Sequence, residues 1–245
     1  LPVEAVEATY ALSDPQRETL SAIRNAPQRV VCLYGPTGSG KTEVYLTLAK
    51  QLADEGKQVV ILVPEIGLTP QMISRVQARF GEEVIVYHSH LSDSERYLQY
   101  QRVLNKESSV VVGTRSAIWL PFTDLGLIVL DEEHDTSYKQ DSAPRYHARD
   151  VAIHRANTFN AKVILGSATP SFETYARAKK GVYGLVNLPS RISGVLPSVR
   201  VIAPDYRANL ILAPQIQTLI QTRLDRHEQV IVLLNRRGYA PIYQC

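Results

Sequence analysis

The sequence predicts an α/β fold, a mainly parallel sheet flanked by helices and followed by the opening of a second unit of the same kind. Three observations carry this. Short runs of Val, Ile and Leu alternate with helical patterns along most of the chain. The runs are apolar on both faces, as strands in the middle of a parallel sheet are. A glycine-rich loop, Gly35-Pro36-Thr37-Gly38-Ser39-Gly40-Lys41-Thr42, joins the first buried run, Val30-Val31-Cys32-Leu33-Tyr34, to a helical segment over residues 43–52. Alternation of this kind gives a doubly wound sheet with ligands at the carboxyl ends of its strands.

The elements follow in order. Residues 1–29 are mixed, with a helical pattern over 17–23 for which Asp14 can serve as cap and Pro15 as the first residue. Further strands are expected at 58–63, 84–87, 109–112, 125–130 and 162–165, and helices at 70–80, 93–105, 149–158 and 172–179. Ser92 with Glu95 reads as a capping box. Residues 189–198 are dense in Pro, Ser and Gly and read as a linker. Past it, 199–203, a helix over 214–226 and 229–234 read as the start of a second α/β unit. The domain expectation is therefore 1–188, a linker at 189–198, and the beginning of a second lobe at 199–245. The last residue, Cys245, directly follows an ordered-looking segment, and the chain reads as a piece of a longer protein.

Composition narrows the classes. Of 245 residues, 44% are apolar, enough for a real core. A net charge of +3 fits a polyanionic partner without requiring one. Neither an apolar run of about eighteen residues nor a signal peptide is present in the sequence. The two cysteines, Cys32 and Cys245, lie far apart, which argues against a disulfide framework and for a reducing cytosol.

The chemistry begins at the glycine-rich loop. Its glycines let backbone N–H groups converge on one anion, and the helix that follows adds the positive end of its dipole. Lys41 would reach nucleotide phosphates and the Thr42 hydroxyl would take one Mg²⁺ position. A second motif, Leu127-Ile128-Val129-Leu130-Asp131-Glu132-Glu133-His134, sets an acidic pair at a strand end. There Asp131 can hold the metal, Glu132 can orient or deprotonate the attacking water, and Glu133 reads as a solvated neighbour. Gly166-Ser167-Ala168-Thr169 ends another strand with hydroxyls able to sense an adjacent acidic loop, or serves simply as a strand-to-helix turn. The loops at 64–70, 88–89 and 113–117 share that strand-end address. Helix-start amides, hydroxyls and one Arg are groups that grip nucleic-acid phosphates. Residues 135–147 read as an irregular insertion whose Tyr138, Lys139, Arg145, Tyr146 and His147 suit unpaired bases and their backbone.

Together these motifs resemble the first motor lobe of a superfamily 2 helicase. Residues 35–46 (GPTGSGKTEVYL), 63–71 (VPEIGLTPQ), 88–96 (HSHLSDSER), 113–117 (GTRSA), 131–140 (DEEHDTSYKQ), 145–150 (RYHARD), 165–170 (LGSATP) and 234–241 (LNRRGYAP) narrow the likeness to the PriA family of bacterial replication-restart helicases. The resemblance implies a RecA-like lobe carrying ATP and Mg²⁺, and 3′→5′ DNA unwinding in the bacterial cytoplasm at abandoned forks. Forked and single-stranded DNA, single-stranded DNA-binding protein and primosome proteins are the implied partners, and no membrane is. Gln16 matches the adenine-reading Gln. Gly35, Thr37, Gly38, Ser39, Gly40, Lys41 and Thr42 match the phosphate loop, with Thr42 and Asp131 on Mg²⁺ and Glu132 on water. His134, Ser167 and Thr169 match the set coupling ATP to DNA, and Thr69, Thr114 and Arg115 the strand-gripping loops. Residues 138–147 match an aromatic-rich loop that couples single-strand binding to hydrolysis, and the loop has no Trp in this chain. Cys245 falls where a first zinc cysteine stands, so Zn²⁺ is implied for the full-length protein alone. Rival readings are an RNA helicase or another translocase with the same motor, and a nucleotide-gated interaction module without catalysis.

Overall fold

The computed structural model describes residues 11–81, 83–189, 198–202 and 213–233. The chain divides into two compact units, Leu1–Gly194 and Val195–Cys245.

The first unit is built on seven parallel strands. In chain order they and their helices are α1 (Asp14–Asn25), β1 (Val30–Tyr34), α2 (Lys41–Asp54), β2 (Gln58–Leu62), α3 (Pro70–Phe80), β3 (Ile85–Tyr87), α4 (Asp93–Leu104), β4 (Val110–Gly113) and β5 (Leu125–Leu130). A two-stranded antiparallel hairpin follows, β6 (Lys139–Gln140) and β7 (Tyr146–His147). Then come α5 (Ala148–Phe159), β8 (Lys162–Ser167), α6 (Phe172–Lys179) and β9 (Gly184–Asn187). The sheet order is β3-β4-β2-β5-β8-β1-β9, so β8 lies between β1, which ends in the glycine-rich motif, and the central strand β5, which ends in the acidic one.

Side chains alternate across each strand, and the sequence fills both faces. Val31, Leu33, Val59, Ile61, Leu127, Val129 and Ile164 pack with α1, α2 and α3 through Ile23, Leu46, Ala49 and Val76. Cys32, Val60, Leu62, Ile128, Leu130, Val163 and Leu165 pack on the other face with Ala152 and Ala156 of α5, Val103 of α4 and Ala178 of α6. The small Ala residues let α5 lie close to the sheet. Burial among these residues pushes the Cys32 thiol up to about 12, as suits an inert core position.

Several expectations change. The first helix starts at Asp14 with Ser13, not Asp14, as its cap, because Ser13 is the last extended residue. The Gln16 side chain reaches back to accept from the Ser13 N–H (2.9 Å) and hydroxyl (3.1 Å). The insertion at 135–147 is ordered rather than irregular, a 3₁₀ turn at Thr136–Tyr138 leading into the β6–β7 hairpin. Strand β9, which the sequence reading omitted, closes the sheet beside β1.

In the second unit, α7 (Pro214–Leu224) forms with no buried residue. The described parts of the expected strands, 199–202 and 229–233, are not strands. Val199, Val201, Ile231 and Leu233 are all exposed, and a strand without a neighbour has nothing to satisfy its N–H and C=O groups. Most of the linker and Cys245 lie outside the described residues.

Candidate active site at the strand ends

The glycine-rich loop runs from β1 into α2. Gly38 (φ 80°) and Gly40 (φ 85°) adopt the left-handed conformation that glycine takes without steric cost. At Gly35 a Cβ would stand 2.6 Å from the Leu188 carbonyl oxygen, so no larger residue fits there. Lys41 is only 6% exposed and folds onto its own loop, its Nζ donating to the carbonyls of Gly35 (2.7 Å) and Pro36 (3.3 Å). Burial lowers its pKa, opposed by Glu132 and Asp131. The buried Ser39 hydroxyl has no hydrogen-bond partner. An orphaned hydroxyl, a buried ammonium and a helix start lie together in this loop, which fits a phosphate. Gln16 is buried beside them and donates to the Gly40 carbonyl (3.3 Å). Thr37 is exposed at the loop's tip.

The acidic motif closes the other wall. Asp131 accepts from the Tyr45 hydroxyl on α2 (2.7 Å) and from the Glu132 N–H (3.1 Å). Burial raises its pKa, and the Tyr45 bond and Lys41 work against that rise. Thr42 is half-buried one turn before Tyr45, whose hydroxyl reaches Asp131, and a hydroxyl and a carboxylate are oxygen ligands of the kind Mg²⁺ takes. Glu132 sits at φ 46°, a left-handed position that is costly for a side-chain-bearing residue and recurrent at functional turns. Burial, then Asp131, raises its pKa toward the range a general base needs.

From Glu132 a line of polar contacts leads away. Its carboxylate is 3.6 Å from His134 Nδ1, which stands 2.7 Å from Ser167 Oγ. That hydroxyl accepts the Thr169 N–H (2.9 Å). Residues from the ends of β5 and β8 thus form one connected set.

Farther along the same edge, Thr69 caps α3 by accepting the Met72 N–H (3.2 Å) and is exposed. Thr114 is buried, and its N–H bonds the Tyr87 carbonyl (3.0 Å). Arg115 donates to the carbonyls of Ser137 (2.8 Å) and Lys139 (2.7 Å), pinning the hairpin to the loop after β4. Lys139 and Arg145 are exposed.

The family model for the DEAD/DEAH box helicases matches residues 13–178, which contain every motif just described. The chain belongs to the DEAD/DEAH box helicases. Within that family it is similar to the replication restart protein PriA of Bacillus subtilis (43% identity over the whole chain and 31% of that protein). The PriA of Haemophilus influenzae is 44% identical over 87% of this chain and 30% of its own length. The chain therefore spans about a third of these relatives. Among solved structures, RecG bound to a three-way DNA junction aligns at TM-score 0.55 and 21% identity over 92% of this chain and 28% of that one. The DUF1998 helicase MrfA aligns at 0.58 and 19% over 94% and 37%. These share the fold.

Two residues are not where the sequence puts them, and a third was not singled out by it. Tyr138, expected to contact single strands, is fully buried under the sheet edge, its hydroxyl donating to the Asp131 carbonyl (2.6 Å) and shared with Leu62 (2.9 Å). It holds the acidic turn and cannot stack on a base. Glu133, read as solvated, is 1% exposed. A tryptophan from another part of the chain lies beside the hairpin. Trp119, in the 3₁₀ turn after β4, packs edge-on against Tyr146 (5.3 Å between centroids) and remains 55% exposed, with Arg115 over the opposite ring (5.9 Å). No spacing rule could have found it, because only the β4–β5 connection brings it to β7. Among the described residues no cluster of His, Cys, Asp and Glu could hold a metal, and the zinc expectation rests on Cys245, outside them. Nor, among the described residues, is any helix long and apolar enough to cross a membrane.

Tyr138→Phe should lower stability by about 1–3 kcal/mol, because the Asp131 carbonyl loses its buried donor. A urea midpoint equal to wild type would show that the hydroxyl is dispensable.

Proposed function

We propose that the chain is the ATP-binding motor lobe of a DNA helicase of the replication-restart type, with residues 1–188 as the lobe, 189–198 as the link and 199–245 as the beginning of a second lobe. The observation that carries the reading is the line Glu132–His134–Ser167–Thr169, which ties the residue placed to activate water to the loop after β8. A pure binding module has no use for such a line. The likeness along the whole chain to a replication restart protein supports DNA at replication restart as the substrate, and 3′→5′ movement at abandoned forks belongs to the same proposal.

Ser39, Lys41 and the loop amides would hold the phosphates of ATP, and Thr42 with Asp131 would hold Mg²⁺. The metal–nucleotide pair supplies the phosphoryl group and neutralises the charge that builds on it. Glu132 takes the proton of the attacking water at its carboxylate, for which its raised pKa suits it. His134 then passes the state of that carboxylate to Ser167 and Thr169.

On the DNA side, Trp119 and Tyr146 offer ring faces to unpaired bases, flanked by the exposed Lys139 and Arg145. Trp119 is the chain's single tryptophan, so its emission reports on that surface directly. Titrating the chain with an oligo-dT strand should quench it saturably, and Tyr146→Ala should weaken binding about tenfold, one stacked base being worth about 1–3 kcal/mol. Unchanged emission from a folded chain up to high strand concentration would contradict the DNA reading.

A further inference from the structure

Glu133 is a buried carboxylate that neither the phosphate loop nor the strand-gripping loops use. Its Oε1 accepts the Ser171 N–H (2.6 Å), and its Oε2 accepts the hydroxyls of Thr174 (3.0 Å) and Ser171 (3.2 Å). The Arg149 guanidinium lies 3.8 Å from Oε2 and donates to the same two hydroxyls, at 3.2 Å from Ser171 and 3.4 Å from Thr174. The Glu133 N–H bonds the Gly166 carbonyl (3.0 Å), next to Ser167. Removing a carboxylate and a guanidinium from water is costly, and an apolar pair of the same size serves stability as well or better. Stability alone therefore does not account for the charges.

What distinguishes them is where they meet. Arg149 lies in the first turn of α5, two residues past His147, which ends β7 and caps that helix by accepting the Arg149 N–H (3.2 Å). Ser171 caps α6, the helix that follows the Ser167–Thr169 loop. Glu133 itself immediately precedes His134. One ion pair thus joins the end of the hairpin, the start of α6 and the acidic turn. A shift of β7 moves the first turn of α5, and Arg149 with it, against groups fixed to both catalytic strand ends.

We propose that Glu133 and Arg149 form a positioning pair that carries the state of the Tyr146–His147 strand to the Ser167–Thr169 loop, so that a single strand held at the hairpin accelerates hydrolysis. The pair touches neither nucleotide nor DNA. The inference rests on the motor reading above, and the experiment separates the two.

Glu133→Gln, Arg149→Gln and the double variant are prepared in the chain carried to the full length of its relatives. Four quantities are compared with wild type: melting temperature, oligo-dT affinity, unstimulated ATP hydrolysis, and the factor by which oligo-dT raises it. Each single variant should lose about tenfold in that factor, within the usual range of coupling between sites. Oligo-dT affinity and unstimulated hydrolysis should stay within about twofold of wild type, and the double variant should be no worse than either single one, as members of one unit behave. Oligo-dT should also change hydrogen exchange at the Ser171–Thr174 amides in wild type and leave it unchanged in Glu133→Gln. A stimulation factor preserved in Glu133→Gln overturns the pair, as does a fall of all quantities together with melting temperature, which marks a merely structural role. A wild type that binds and hydrolyses ATP without responding to DNA overturns the motor reading, and the pair with it.

Discussion

Lys41→Ala, made in the chain extended to the length of its relatives, is expected to abolish DNA-stimulated ATP hydrolysis while leaving binding to forked DNA nearly intact. The loss should be at least about a hundredfold, the usual cost of removing one preorganised group from a site where charge develops. The fold should survive the change. Lys41 is held buried on the carbonyls of Gly35 and Pro36, and replacing it relieves that burial while two exchangeable hydrogen bonds are lost. Calorimetric titration with a nonhydrolysable ATP analogue and a steady-state assay separate the two effects. Hydrolysis at the wild-type rate would remove the phosphate-loop assignment.

The second large effect is expected at Glu132. Glu132→Gln keeps the size of the side chain and the left-handed turn, so the backbone cost is the same in both proteins. What disappears is the group able to take a proton. Hydrolysis should fall about 10²–10⁴-fold, the range that general base catalysis contributes, with nucleotide affinity within a few fold of wild type. Asp131 cannot take over the role. Its carboxylate already accepts from Tyr45 and from the Glu132 N–H, and it is the deeper of the two. A Gln variant that turns over at the wild-type rate would move the base elsewhere and leave Glu132 as a turn residue.

The parts of this site that were legible in the sequence are those whose chemistry demands neighbouring residues. A phosphate loop needs its glycines, Lys41 and Thr42 in one stretch, between a strand and a helix, and no tertiary contact is required to see it. The central strands were legible for a similar reason: β2, β5 and β8 are buried on both faces and read as unbroken apolar runs. Strand β9 was not, because Leu185 and Asn187 face outward at the sheet edge and only Gly184 and Val186 are buried. Strands in 199–203 and 229–234 were inferred from composition, yet the described residues there have exposed side chains and no ladder to join.

The misread residues share another cause. Tyr138 looked like a base-stacking aromatic because its neighbours in sequence are cationic and polar. The 3₁₀ turn at Thr136–Tyr138 instead folds the ring inward onto the carbonyls that end β2 and β5. Glu133 looked solvated because its partners, Arg149, Ser171 and Thr174, come from two helices distant in sequence. Trp119 was overlooked for the same reason and stands beside Tyr146 only once β4 and β7 are placed. In each case local pattern gave the residue's chemistry, and the sheet order decided what that chemistry meets.

If this chain is the first lobe of an ATP-driven DNA motor, steady-state ATP hydrolysis measured with and without single-stranded DNA will show it. The chain should be measured beside a form extended to the length of its PriA relatives. Little hydrolysis is expected from the chain alone, and strong, DNA-stimulated hydrolysis from the extended form. Hydrolysis indifferent to DNA in both forms would rule out a DNA motor, and hydrolysis by neither would leave a nucleotide-gated binding module as the better description.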